Sequence, residues 1–315
     1  MNGHGCRSAQ EGFGEALASL AGDSADFLLC VSAQEEGFLS FAEAFPDQFV
    51  RTGSTEEDLV VAAAGLSLAG FRVVVASTAS FLVGRAYDRI RNLVALPRLP
   101  LCLVGSGSGF SRGDEGAPYQ MLEDLALMRA LPGMAVVVPS DAPSARRLAV
   151  EACRSEGPVY LRLGDHPRAS LYGEDDADFA LGEGRLLRSG DEVTLCACGV
   201  MVHEALRAAE ILAQQGLSPE VIDCYSVKPL PERLILSSVR RTGCCVVAEE
   251  HGVVGGLCGA VAERVSQRCP VPLRFVTAGE RFGQSGTTAN LQEYYGLTYK
   301  EIVGAAAQAW AMRRR

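Results

Sequence analysis

The chain has 315 residues, 48% of them apolar and 21% charged, which suffices for a large buried core and two domains. A formal net charge of −9 and a pI near 5.1 leave no basic footprint, and this argues against nucleic acid or an anionic membrane surface as partner. The eleven cysteines are odd in number and lack metal-ligand spacing; most lie in apolar runs such as VTLCACGV and GCCVVAEE, as buried reduced thiols do.

In chain order, residues 1–10 read as a tail. They lack the charged start and apolar block of a signal peptide, and no later apolar run reaches membrane-spanning length, so the expected location is cytoplasmic. From residue 11 helices alternate with short apolar runs that end in turn residues: FLLCVS (27–32), RVVVAST (72–78), LCLVGSG (101–107), AVVVPS (135–140) and VYLRL (159–163). The helical stretches between them are EDLVVAAAGLSLAG, FLVGRAYDRIRNLVAL, YQMLEDLALMRAL and APSARRLAVEACRS. Strands separated by helices imply βαβ units, and so an α/β domain with a parallel sheet over residues 11–170. The acidic, glycine-containing segment 171–184 reads as a linker. A second α/β unit, residues 185–315, follows with strands at 193–199, 219–226, 244–250 and 272–277. Its last helix ends in RRR, which suits the negative end of a helix dipole.

Three local patterns carry chemistry. In GSTEEDLVVAAAGL, Ser54 and Glu57 have capping-box spacing and the run EED suits a helix start, which leaves Glu56 either a solvated first-turn acid or a residue with a task of its own. Phe81 opens the next amphipathic helix and reads on sequence alone as core. The loop GSGSGFSRGDEGAPYQ (105–120) matches a dinucleotide fingerprint only in part, because no third glycine opens a helix. His203 reads as a helix-surface residue, and His251, in EEHGVVGG, stands at a strand-to-helix junction.

FPDQFVRTGSTEEDLVVAAAGLSLAG and GDEGAPYQMLEDLALMRALPGMAVVVPSD resemble the second half of a transketolase. The likeness continues through VTLCACGVMVHEALRAAEILAQQG, VIDCYSVKPLPERLI, AEEHGVVGGLCGAVAE and ERFGQSGTTANLQEYYGLT, and it covers residues 10 to 312. It implies two consecutive α/β domains with mostly parallel sheets, a pyrimidine-binding domain and then a C-terminal domain. Glu56 falls on the glutamate of the family pattern G-[IV]-A-E-Q-N-[ML], which hydrogen-bonds the pyrimidine ring of thiamine diphosphate. Phe81 falls on the aromatic that stacks on that ring, Thr78 stands where a second aromatic is common, and Arg85 joins them on the cofactor side.

Against the family's G-E-D-G-[AP]-T-H-Q, residues Gly113, Gly116 and Gln120 match. Glu115 replaces an aspartate that meets donor hydroxyls, and Tyr119 replaces a histidine near the reacting carbon. Glu35, in VSAQEEGFLS, and Asp165, in YLRLGDHPR, stand where phosphate contacts are usual, while Arg162 and Arg168 remain. Glu35, Glu115, Arg162 and Asp165 are thus the substrate-side candidates, and phosphorylated ketoses are disfavoured. His251 is placed by the resemblance toward the active site, in a supporting role.

The G-D-G motif that holds magnesium and the diphosphate in this family does not occur here. The resemblance therefore implies one half of a split, two-component transketolase. A partner subunit would hold Mg2+ and the diphosphate, thiamine diphosphate would be shared between them, and two copies of each would form a heterotetramer. The implied activity is transfer of a two-carbon ketol unit from a ketose-type donor to an aldehyde-type acceptor. The rival readings are the β subunit of a 2-oxoacid decarboxylase or dehydrogenase, a deoxyxylulose phosphate synthase, and a non-catalytic assembly subunit.

Overall fold

A computed structural model describes residues 6–31, 38–53, 55–174 and 179–313. The first domain is built on parallel strands β1 (Phe27–Val31), β2 (Phe49–Arg51), β3 (Arg72–Thr78), β4 (Leu101–Ser106), β5 (Ala135–Val137) and β6 (Val159–Arg162). Its helices are α1 (Ala9–Asp23), α2 (Leu39–Ala44), α3 (Glu56–Leu68), α4 (Ala79–Arg89), α5 (Asp124–Ala130) and α6 (Ala142–Arg154). Because side chains alternate along a strand, Leu29, Val74, Val104 and Leu161 pack under α1 and α6, while Cys30, Val75, Leu103 and Tyr160 pack under α3, α4 and α5. α1 lies so close to α6 that a Cβ added at Gly12 would sit 2.0 Å from the Ala142 carbonyl oxygen.

The second domain carries β7 (Arg185–Arg188), β8 (Val193–Ala197), β9 (Pro219–Asp223), β10 (Ser226–Lys228), β11 (Cys245–Ala248) and β12 (Leu273–Val276). Its sheet runs β12-β11-β8-β9-β7, with only β7 antiparallel. α7 (Met201–Gln214) and α11 (Tyr299–Met312) cover one face, α8 (Glu232–Thr242) and α9 (Leu257–Arg268) the other, and the short α10 (Thr288–Tyr294) lies before α11.

The sequence reading puts 219–226 in one strand. Instead the chain leaves β9 at Asp223, and β10 crosses to the first domain, where it pairs antiparallel with β5 through Ser226 and Val137. The first sheet thereby becomes seven-stranded, in the order β10-β5-β6-β4-β3-β1-β2. Nor is 171–184 a loose tether: Leu171 and Tyr172 donate their backbone N–H groups to Asp141, and Tyr172 and Phe179 are buried. One apolar cluster runs from Leu59 and Leu82 through Met121 and Leu125 to Cys196, Cys245 and Val261, joining the two domains. Ten of the eleven cysteines are wholly or partly buried, Cys6 is exposed, and all are free thiols. No helix among the described residues is long and apolar enough to cross a membrane.

Candidate functional site

The residues singled out above follow the C-terminal ends of parallel strands, where ligand crevices open in such sheets: Glu56 after β2, Thr78 and Phe81 at and after β3, Tyr119 after β4, Asp165 after β6. α3 begins at Glu56. Its N-cap is Thr55 and not Ser54, which lies outside the described residues; Thr55 Oγ1 accepts from the Asp58 N–H and donates to Asp58 Oδ2 at 2.8 Å. With Asp58 serving the cap, Glu56 is free to turn inward and is 1% exposed.

Ser77, the penultimate residue of β3, donates to Glu56 Oε1 at 3.3 Å. The other oxygen, Oε2, is buried and accepts no hydrogen bond among the described residues; Arg85 Nη1 lies 3.6 Å from it. Arg85 also lies over the Phe81 ring, 4.0 Å from its centroid, and Tyr119 meets that ring edge-on at 5.1 Å. Glu56 of α3, Phe81 and Arg85 of α4 and Tyr119 of the loop after β4 thus form one continuous cluster, and Thr78 is buried at the start of α4. A carboxylate oxygen lacking a donor beside a half-buried aromatic fits a flat, nitrogen-bearing ring such as an aminopyrimidine. A cleft of about 750 Å3 adjoins the cluster, lined by Ser80 and Gly84 of α4, Pro118 and Gln120 of the loop, and Val253 and Phe282 of the second domain.

The loop after β4 holds a second group. Arg112, its sole cation, pairs with Glu115 at 3.1 Å and with Asp165 at 3.6 Å. Asp165 also accepts from the Gly107 N–H at 3.0 Å. Burial pushes the Asp165 carboxyl upward, against the pull of Gly107 and Arg112. Neither Arg112 nor Ser77 stands out in the sequence. Being the only positive charge in a glycine-rich loop is a usable signal for Arg112, whereas Ser77 meets Glu56 only through the fold.

Tyr119 lies in irregular chain ahead of α5, so the expected helix over 119–131 is confined to Asp124–Ala130. The backbone turns at Gly113–Glu115, and Gln120 Nε2 is drawn to the carbonyls of Gly113 and Gln284. Glu35 lies outside the described residues.

Three expectations change. Arg162 is 5% exposed and faces inward, where it binds Asp124 at 2.8 Å and the Met121 and Glu250 carbonyls and ties the domains together. Burial alone would lower its pKa, but Asp124 and Glu250 more than offset this and hold the cation firmly. His251 is fully buried, with Nδ1 donating to the Gly252 carbonyl and Nε2 accepting from the Ala126 N–H, so both ring nitrogens are engaged by backbone groups. His203 is not a surface residue either: Nε2 donates to the Ser140 carbonyl at 3.0 Å, and burial lowers its pKa.

Known proteins share both domains of this chain. Residues 7–167 match the transketolase pyrimidine binding domain and residues 182–302 the transketolase C-terminal domain. A 6-deoxy-6-sulfo-D-fructose transketolase subunit of Clostridium sp. strain MSTE9 is 40% identical over 266 residues, covering 84% of this chain and 82% of the relative. One of the subunits of an apulose-4-phosphate transketolase from Phocaeicola vulgatus is 31% identical over 304 residues, 96% of this chain and 97% of its own. The fold of a solved protein described as a split gene transketolase, inactive beta4 tetramer, superposes with a TM-score of 0.90 at 36% identity, over 98% of this chain and all of that one. With both domain models matched in order and relatives of the same two-domain extent, this chain belongs to the transketolase family, as a pyrimidine-binding and C-terminal subunit of its split form.

Proposed function

We propose that the chain is one subunit of a thiamine diphosphate-dependent transketolase-like transferase, which moves a two-carbon ketol unit from a ketose-type donor to an aldehyde-type acceptor. It works only with a partner subunit that holds the diphosphate and magnesium. The observation that carries this reading is Glu56, a buried carboxylate at a helix start whose Oε2 accepts no hydrogen bond among the described residues and faces the Phe81 group.

When bound, the cofactor supplies the electron sink for breaking and making the carbon–carbon bond. Glu56 would hold the pyrimidine ring nitrogen through Oε2, with Ser77 fixing the carboxylate from the other side. Phe81 and Tyr119 would seat the ring and keep water from the reacting face. A phenol donates a hydrogen bond at neutral pH where an imidazole could take a proton, so Tyr119 would orient the substrate oxygen without acting as a base. Glu115 and Asp165, both held on Arg112, place two carboxylates around one cation, an arrangement that suits donor hydroxyls better than a terminal phosphate.

Calorimetry with thiamine diphosphate and magnesium tests the reading on three samples: this chain alone, its complex with a co-expressed partner, and that complex carrying Glu56→Gln. Tight binding by the complex only is expected, and Glu56→Gln should cut ketol transfer by about 100-fold or more. A complex that binds no cofactor, or turnover unchanged by Glu56→Gln, favours the rival reading of a non-catalytic assembly subunit. The replacement of the family histidine by Tyr119 is the observation on that side.

A further inference from the structure

The first sheet runs β6-β4-β3, and the C-terminal end of each of these strands delivers one part of the candidate site: Phe81 follows β3, Arg112 and Tyr119 follow β4, and Asp165 follows β6. Neighbouring strands lie about 4.8 Å apart, so a ligand that starts over Phe81 and runs toward β6 meets the Arg112 group one or two strand spacings on, about 5–10 Å away. That is the reach of a sugar chain. Arg112 therefore stands where the far end of a ketose donor would lie.

Two carboxylates from different loops close on this one cation, Glu115 Oε1 at 3.1 Å and Asp165 Oδ2 at 3.6 Å. Gly107 makes room for the arrangement. Its backbone is left-handed, with φ at +62°, and a Cβ there would sit 2.6 Å from Arg112 Nε and 3.2 Å from Asp165 Oδ2, so any side chain would push the guanidinium from its seat. The Gly107 N–H also donates to Asp165 Oδ1 at 3.0 Å and fixes the carboxylate that faces Arg112. A guanidinium is well suited to a phosphate. Here its charge is already answered twice, and an arriving phosphate would have to displace one carboxylate and approach the other against repulsion.

We propose that Arg112 sets the donor specificity: held by Asp165 and Glu115, it closes the far end of the site to anions and selects ketoses that end in an uncharged hydroxyl. The proposal rests on the ketol-transfer reading and names the donor class for it. It also makes the anion site latent, since neutralising Asp165 frees the guanidinium. Asp165→Asn is the sharpest variant, because the amide oxygen can still accept from the Gly107 N–H and keep the loop in place.

The complex with the partner subunit is assayed with D-xylulose and D-xylulose 5-phosphate as matched donors. Wild type should use D-xylulose at least as well, by kcat/KM, as its phosphate. Asp165→Asn should raise the preference for the phosphate by about tenfold or more, the equivalent of about 1.4 kcal/mol, chiefly through KM. Adding Arg112→Gln should abolish that gain, which separates a freed cation from mere relief of repulsion. A wild type that prefers the phosphate tenfold, a preference unmoved by Asp165→Asn, or a gain that survives Arg112→Gln overturns the proposal. All four residues belong to this chain, so capture of inorganic phosphate by the full chain, read by phosphorus NMR line broadening, decides the matter without turnover. Broadening is expected with Asp165→Asn and not with wild type or the double variant; equal broadening by all three, or by none, overturns the Arg112 lock. A complex that turns over neither donor yet shows the expected broadening refutes the ketol-transfer reading while upholding the lock.

Discussion

Asp223 shows what a single buried carboxyl does to this protein. Its Oδ2 accepts from Ser140 Oγ at 2.7 Å and from the Tyr172 hydroxyl at 2.8 Å, while Oδ1 is buried and accepts nothing among the described residues. Burial pushes its pKa up to about 7; the two hydroxyls pull it back and Asp141 adds to the rise. Between an unfolded-state value of about 3.9 and that raised value, the folded chain keeps a proton the unfolded chain has lost, so stability falls as pH rises through this window, by about 1.4 kcal/mol per unit at most. Asp223→Asn keeps the shape and removes the titration. Its melting temperature relative to wild type should climb between pH 4 and 7 and level off above; a constant difference across that range refutes the assignment. Nothing in PEVIDCYS announces this residue, because its partners arrive from 83 and 51 positions away. Glu56 was singled out by the family resemblance: the helix start and its acids were legible, but the cap falls on Thr55 and Asp58 and not on Ser54 and Glu57, and the burial of Glu56 depends on Ser77, which only the fold brings to it.

At the scale of elements, long periodic stretches were readable and short ones were not. The strand RVVVAST is Arg72–Thr78 as expected, and the helix APSARRLAVEACRS is Ala142–Arg154. β2, β7 and β10 were missed: each has only three or four residues, too few for a period to show, and two of them pair antiparallel. The expected helix over 81–96 begins two residues early, at Ala79, and its end is π-helical over Ile90–Ala95, a change in winding that no side-chain pattern encodes. Two glycines of α1 show how packing between elements escapes propensity. At Gly12 the helix presses on the Ala142 carbonyl, whereas at Gly14 an added Cβ would meet nothing within 4 Å. Gly12→Ala should therefore destabilise by about 1–3 kcal/mol, while Gly14→Ala should be neutral or stabilise by up to about 1 kcal/mol. Urea midpoints of the two variants would separate them, and equal shifts would show that the helix pair tolerates a wider spacing.

At the scale of the molecule, the two-domain reading was right about sequence order and silent about how the domains are joined. The apolar cluster from Leu59 to Val261 crosses the boundary, Arg162 bonds to Asp124 and to the Glu250 carbonyl, and His203 reaches Ser140. Arginine, histidine and short apolar runs look the same in a sequence whether they face solvent or a neighbouring domain. Domains in one chain often unfold separately when their interface is small and polar. Here the shared core predicts one calorimetric transition with equal calorimetric and van't Hoff enthalpies, and two resolved peaks would refute it. The exchange of β10 carries a further consequence for descent. Were a gene of this kind cut between its two domains, the upstream product would be born with the edge of β5 bare, a template for aggregation, and the downstream product would carry a strand with no sheet to join. The β5–β10 pairing thus ties the fate of each domain to the other within one chain.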